Sequence, residues 1–245
     1  MKVEIVIPAY NPGPFLSEAI ESCLKQSYKN YSITVIDDCS SENVEGVIKL
    51  YPGVKLLKTD KNSGPSAARN LGIKNSKADL ISFLDSDDIM APEKLFYSVE
   101  EFKKDPSIGM TCGNYKIIYN RSRMMRPFYS RPIKISYPLM MRQNFVASGS
   151  TTVRRDVLED VGLFDESLWI SEDYDLWLRI AEKYSIKYIH RVLYYYSVIK
   201  NGGSLTNSQD SIDIGKKNNE IIRRASKARM LRHEYNKIKK QKDSD

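Results

Sequence analysis

Leu80-Ile81-Ser82-Phe83-Leu84-Asp85-Ser86-Asp87-Asp88 decides how the chain is read. Its first five residues are apolar but for one serine, and they feed without a break into three aspartates around Ser86. A short apolar run of this kind is the mark of a strand buried on both faces, as in a parallel sheet. The same form recurs toward the N-terminus, where Val3–Ile7 runs into Pro8-Ala9-Tyr10-Asn11 and Ile33–Ile36 runs into Asp37-Asp38. Val54–Leu57 is a further apolar run. Between the first two, Phe15/Leu16, Ala19/Ile20 and Cys23/Leu24 recur every four residues as one helical stripe. Pro65 and Pro92 stand where a first helical turn begins, ahead of Ala67–Ile73 and of Leu95, Val99 and Phe102. Asp105-Pro106 stops the second of these helices. Strands alternating with helices predict βαβ units, hence an α/β fold with a mostly parallel sheet flanked by helices.

Parallel strands deliver their carboxyl ends to one edge, where open α/β sheets bind ligands. Asp37, Asp38, Asp85, Asp87 and Asp88 therefore converge on that edge, and they repel one another unless a cation or donor groups compensate. No G-x-G-x-x-G follows the first strand and no G-x-x-x-x-G-K-[ST] occurs anywhere. A nucleotide would have to be held without a glycine-rich phosphate loop. A divalent metal between carboxylate and diphosphate does that work, since Mg²⁺ favours one or two carboxylates plus phosphate oxygens. Asp85-Ser86-Asp87 suits it, because alternate residues of an extended segment point the same way. The alternative is a solvated turn.

Beyond Asp105 the pattern is less regular. Residues 120–144 mix Arg and Lys with Met and Tyr without clear periodicity. Arg155–Leu163 reads as a helix. Asp173, Leu176, Trp177 and Ile180 lie on one face of another that begins near Ser171. Ile186–Ile189 and Val192–Ser197 read as two strands, with Tyr194-Tyr195-Tyr196 as core and sheet-face residues. Asp173, a carboxylate on an apolar face at the open end of the sheet, is a candidate general base. The alternative is an acid complementing the helix dipole. Glu172 points about 100° away and must serve another role.

The 245 residues are 41% hydrophobic and 28% charged, an ordinary globular balance. No run has the 18 or more apolar residues of a membrane span, and Met1–Ile7, carrying Glu4, does not read as a signal peptide. Three scattered cysteines and two histidines disfavour a disulfide framework and a His or Cys metal centre. A reduced, cytoplasmic protein is expected. Of the net charge of +7, residues 209–245 supply +5, which leaves the body almost neutral. That argues against nucleic acid as a partner, and it makes the helical tail the segment that would lie peripherally on the inner face of a membrane. A plain solvated helix or an oligomer contact are the alternatives.

Five blocks in order carry a resemblance. They are Ile7-Pro8-Ala9-Tyr10-Asn11, Val35-Ile36-Asp37-Asp38-Cys39-Ser40, Asn62-x-Gly64-x-x-x-Ala68-Arg69-Asn70, Phe83-Leu84-Asp85-Ser86-Asp87-Asp88 and Ser171-Glu172-Asp173-Tyr174-Asp175-Leu176-Trp177-Leu178-Arg179. Over residues 3–200 the chain resembles a family 2 glycosyltransferase of the GT-A fold, an inverting enzyme using a nucleotide-diphosphate sugar. The resemblance implies a glycosyltransferase domain over 1–207, a basic helical extension over 208–245, and Mn²⁺ or Mg²⁺ as cofactor. The implied partners are a UDP-sugar donor and a saccharide or lipid-linked saccharide acceptor in cell-surface polysaccharide synthesis.

By the same resemblance Pro8, Tyr10 and Asn11 line the nucleoside pocket, and Asp38 accepts from the base. Gly64 and Arg69 border the nucleotide and sugar, Asp85 contacts ribose or sugar, and Asp87 is the main metal ligand. Asp173 deprotonates the acceptor hydroxyl, while Glu172 holds the acceptor or its loop. Ser148 and Gly149 meet the acceptor, and Lys200 stands in a diphosphate loop where relatives carry a histidine. Cys39 replaces the family's usual glycine. Rival readings are a non-catalytic sugar-nucleotide-binding relative, a basic nucleic-acid-binding protein, and a nucleotidyltransferase, whose glycine-rich phosphate loop is missing.

Overall fold

Strand β1 (Val3–Ala9) is the middle of the molecule, with Val3, Ile5, Val6 and Ile7 at 0% exposure. The structure, a computed structural model of the chain, describes residues 1–119, 125–128, 135–198, 213–228 and 230, the side chains of 125–128 excepted. β1 pairs in parallel with β2 (Tyr31–Asp37) on one side and β4 (Leu80–Phe83) on the other. β3 (Val54–Lys58) extends the parallel half beyond β2. All four strands match the apolar runs of the sequence.

On the far side of β4 the polarity mixes. β8 (Thr152–Arg154) is antiparallel to β4, and β6 (Ile108–Tyr119) is antiparallel to β8. β9 (Ser185–Val198) then runs parallel to β6, β5 (Ile89–Met90) closes antiparallel on β9, and β7 (Met125–Phe128) branches off β6. β9 is one strand where two were expected. Its register against β6 slips between Gly113/Ile189 and Asn114/Val192, leaving His190 and Arg191 as the bulge that broke the apolar pattern. β6 has no counterpart in the sequence reading, because Cys112-Gly113-Asn114 interrupts any apolar alternation.

Alternate strand residues feed two cores, as burial of both faces requires. Ile5, Ile7 and Val35 pack with Leu16 and Ile20 of α1 (Phe15–Leu24) and with Leu95, Val99 and Phe102 of α4 (Lys94–Lys104). Val6, Ile36 and Phe83 pack with Ala68 and Ile73 of α3 (Gly64–Lys74), Leu158 of α6 (Arg155–Val161), and Leu176, Trp177 and Ile180 of α7 (Glu172–Lys183). Short helices α2 (Val44–Ile48) and α5 (Tyr137–Met140) fill connections. Pro65 opens α3, and α4 ends at Asp105, which is extended ahead of Pro106.

The tail begins as a helix over 213–228. Its Ile221 is 1% exposed in the same cluster as Trp177, with Ile222 and Ala225 against it. Among the described residues no helix is long and apolar enough to cross a membrane.

Candidate active site

The exits of β1, β2 and β4 line one edge, and the loop after β1 is stitched to the loop after β2. The Asp38 amide donates to Ala9 O (2.8 Å), and Asn11 Oδ1 accepts from the Ser41 amide (2.9 Å) and hydroxyl (3.0 Å). Tyr10 is left 53% exposed at this edge, Asn11 is exposed, and Pro8 is half-buried. Cys39 adopts a left-handed φ of 60°, the conformation a glycine would take there most readily.

The convergent aspartates are neutralised mostly by the chain itself. Asp37 Oδ1 accepts from the Ser40 amide at 2.9 Å. Asp38, 3% exposed, accepts from Thr59 Oγ1 (2.7 Å), the Ser63 amide (3.0 Å) and the Gly64 amide (2.7 Å). Expected to accept from a base, Asp38 thus spends both oxygens on the entry to α3 in this conformation. Gly64 has φ 86°, and the exposed Trp169 ring lies 3.3 Å from where a Cβ would stand. Asp88, 1% exposed, accepts from the Ser197 amide of β9 at 2.8 Å.

Asp85 carries the main junction. Arg69 of α3 donates from Nη2 to Asp85 Oδ1 and from Nη1 to Glu172 Oε1, each at 2.7 Å. The arginine, expected to border the nucleotide and sugar, is buried and bridges the β4 exit and α7. Burial opposes its charge, but the two paired carboxylates hold it protonated. Glu172 is the more buried of the pair, 9% exposed and turned in to Arg69, while Asp173, expected on the core-facing side, is half-buried and Leu176, Trp177 and Ile180 continue into the core.

Asp173 stands in the first turn of α7, whose cap Ser171 is left-handed at φ 60°. Its carboxyl is raised from the usual range to about 7, by loss of solvent first and then by the Glu172 charge; Arg69 and the Tyr174 amide oppose the rise, and Asp85 adds to it. A carboxylate so poised can take a proton near neutral pH.

Ser148 and Gly149, expected on the acceptor side, lie in a buried 3₁₀ turn. The Ser148 hydroxyl has no hydrogen-bond partner among the described residues. The turn is tied from beneath by Lys94, which sequence reading missed. Fully buried, Lys94 donates to Phe83 O (2.8 Å) and Gly149 O (2.7 Å). Burial lowers its ammonium to about 7, although Cys23, Asp85 and Asp88 favour its charge. The one available signal was position: Lys94 and Ser98 border the Leu95/Val99/Phe102 face of α4, and a charge on an apolar face is a candidate for burial. Lys200 lies outside the described residues.

Asp87 is half-buried beyond Asp85. Among the described residues no three His, Cys, Asp or Glu side chains group to hold a metal. That donor set does not suit a cage made by protein alone. Asp85 is engaged by Arg69, so an ion in this cleft would be held through Asp87 and completed by oxygens from outside the chain.

Comparison with known proteins adds the family. The model of glycosyl transferase family 2 matches residues 4–162. The Escherichia coli UDP-Glc:alpha-D-GlcNAc-diphosphoundecaprenol beta-1,3-glucosyltransferase WfgD is 33% identical over 190 residues, covering 77% of this chain and 73% of that protein. An uncharacterized glycosyltransferase of Rickettsia typhi is 32% identical over 200 residues, covering 78% of this chain; the chain spans only 62% of that relative's length. Among solved structures, Staphylococcus aureus TarS 1–349 in complex with UDP-GlcNAc superposes with a TM-score of 0.72 at 19% identity, over 90% of this chain and 66% of that one. Mannosyltransferase PcManGT from Pyrobaculum calidifontis, in complex with GDP-Man and Mn²⁺, gives 0.66 at 18%, over 82% and 58%. These likenesses are of fold, and the mixed, mostly parallel sheet flanked by helices is the GT-A arrangement. With five ordered sequence blocks, a family model over residues 4–162 and relatives a third identical, the chain belongs to glycosyltransferase family 2.

Proposed function

We propose that the protein is an inverting glycosyltransferase that moves a hexosyl group from a UDP-sugar to a hydroxyl of a saccharide or lipid-linked saccharide, in cell-surface polysaccharide synthesis. The observation that carries this is Asp173, a carboxyl raised to about 7, at the start of α7 beside the Arg69 bridge to the β4 exit. In this reading Tyr10, Asn11 and Pro8 receive the nucleoside, with Gly64 beside it and Asp85 on ribose or sugar. WfgD, named for UDP-Glc and a diphosphoundecaprenol-linked sugar, and TarS, solved with UDP-GlcNAc, support the donor and acceptor classes.

Asp173 takes the proton of the acceptor hydroxyl as that oxygen bonds to the anomeric carbon. The bond to the diphosphate breaks on the opposite face, and its electron pair leaves with the diphosphate. One base facing one leaving group gives inversion. A divalent ion held through Asp87 would offset charge on the departing diphosphate. The exposed Lys216, Arg223, Arg224 and Lys227 of the tail helix support peripheral attachment to an anionic membrane, where a lipid-linked acceptor resides.

Thermal shift with nucleotide sugars, with and without Mn²⁺, tests the donor half. Saturation at about 100 times Kd should stabilise by about 2.7 kcal/mol, and Asp87→Ala should lose the metal-dependent part. Asp173→Asn should keep the shift while turnover falls about 100-fold or more. Undiminished turnover in Asp173→Asn, or a product that retains the donor's anomeric configuration, would overturn the mechanism. A shift without donor hydrolysis or transfer would mark a non-catalytic relative.

A further inference from the structure

The resemblance sets Arg69 at the border of nucleotide and sugar, and the structure buries it. A residue bordering the donor would hold its guanidinium toward open cleft, yet Arg69 is 4% exposed. Its terminal nitrogens end on carboxylates from two different elements, Asp85 after β4 and Glu172 in the first turn of α7. The Phe164 ring lies against the guanidinium, 5.4 Å from its carbon to the ring centre. Nε is buried with no hydrogen-bond partner among the described residues. A planar fork satisfied on both tines suits a bridge between fixed acids, a task a lysine's point charge cannot copy. Glu172 directly precedes Asp173, so whatever holds Glu172 also holds the turn that presents the base.

We infer that Arg69 is a positioning residue: its fork latches the first turn of α7, and Asp173 with it, to the turn after β4, and it does not serve as a donor ligand. This rests on Asp173 acting as the base. The carboxyl of Asp173 is acted on by Glu172 from its own helix, Arg69 from α3, Asp85 from the β4 exit and the Tyr174 amide. Removing the Arg69 charge leaves two acids facing Asp173, so its proton should be held to higher pH. Removing the Glu172 charge should release it at lower pH. A residue that merely supports the fold gives no such pair of opposite signs.

The experiment is the pH profile of kcat for the full chain with Arg69→Met, Arg69→Lys and Glu172→Gln, each checked at pH 8 for UDP-sugar binding and thermal stability. The acid limb of Arg69→Met should move up by about half to one pH unit and that of Glu172→Gln down by a similar amount. Arg69→Met should lose about tenfold or more in kcat, with donor KM within about twofold. Arg69→Lys, which keeps the charge but not the fork, should restore the midpoint and leave kcat low. Should Arg69→Met fail to fold, the sign of the Glu172→Gln shift and the Arg69→Lys split decide. Unmoved midpoints with donor KM rising in step with lost activity overturn the inference and return Arg69 to the donor. A wild-type profile with no acid limb near neutrality sinks the base assignment itself.

Discussion

A carboxyl group that keeps its proton to about pH 7 taxes the fold that contains it, and Asp173 is such a group. The unfolded chain gives up this proton near pH 4, so between about 4 and 7 the folded state binds more protons than the unfolded one. Stability then falls as pH rises through that window. Asp173→Asn removes the dependence. The variant should match wild type near pH 4 and exceed it by on the order of 1 kcal/mol at pH 8, in urea unfolding. A variant weaker than wild type at pH 8 would show that the Asp173 carboxyl is not raised. The acids of this edge were legible one at a time, because a carboxylate at a strand exit or in a first helical turn is a local feature of the chain. What they bind to was not. Arg69 finds Asp85 at a separation of 16 residues and Glu172 at 103, and Lys94 finds Gly149 at 55. Partners so distant are set by how elements pack, and no periodicity records them.

The 3₁₀ turn Ser148–Ser150 shows the same lesson at the scale of elements. In the sequence it is a small polar stretch, yet it is wedged between β4, β6 and β9. A Cβ on Gly149 would stand 2.7 Å from the Tyr194 ring, closer than side chains tolerate. Gly149→Ala should therefore cost about 1–3 kcal/mol through overpacking, seen as a melting point lower by several degrees. An unchanged melting point would mean that the Tyr194 ring gives way. The parallel half was readable because β1, β2, β3 and β4 are apolar runs bounded by polar clusters. The mixed half was not, since β6 shows no alternation and β9 carries a bulge at His190 and Arg191.

At the scale of the whole molecule, the tail is part of the body where it is described. Removing it would strip Ile221 from the core, so attachment to membranes is better tested by charge than by truncation. The full chain should sediment with vesicles of anionic phospholipid and release as salt is raised. Lys216→Glu, Arg223→Glu and Lys227→Glu together should weaken this at an unchanged melting point. Equal sedimentation of both proteins at every salt concentration would remove the membrane from the proposal.

The bond from the Ser197 amide to Asp88 spans 109 residues. During synthesis the parallel strands leave the ribosome first, with Asp88 among them, while β9 has yet to be made. At about 5–20 residues per second the wait is on the order of ten seconds. Through that interval Asp37 and Asp38 already have their partners in residues 40–64, while the Ser197 amide has yet to reach Asp88, so the two ends of this acidic edge are secured at different times.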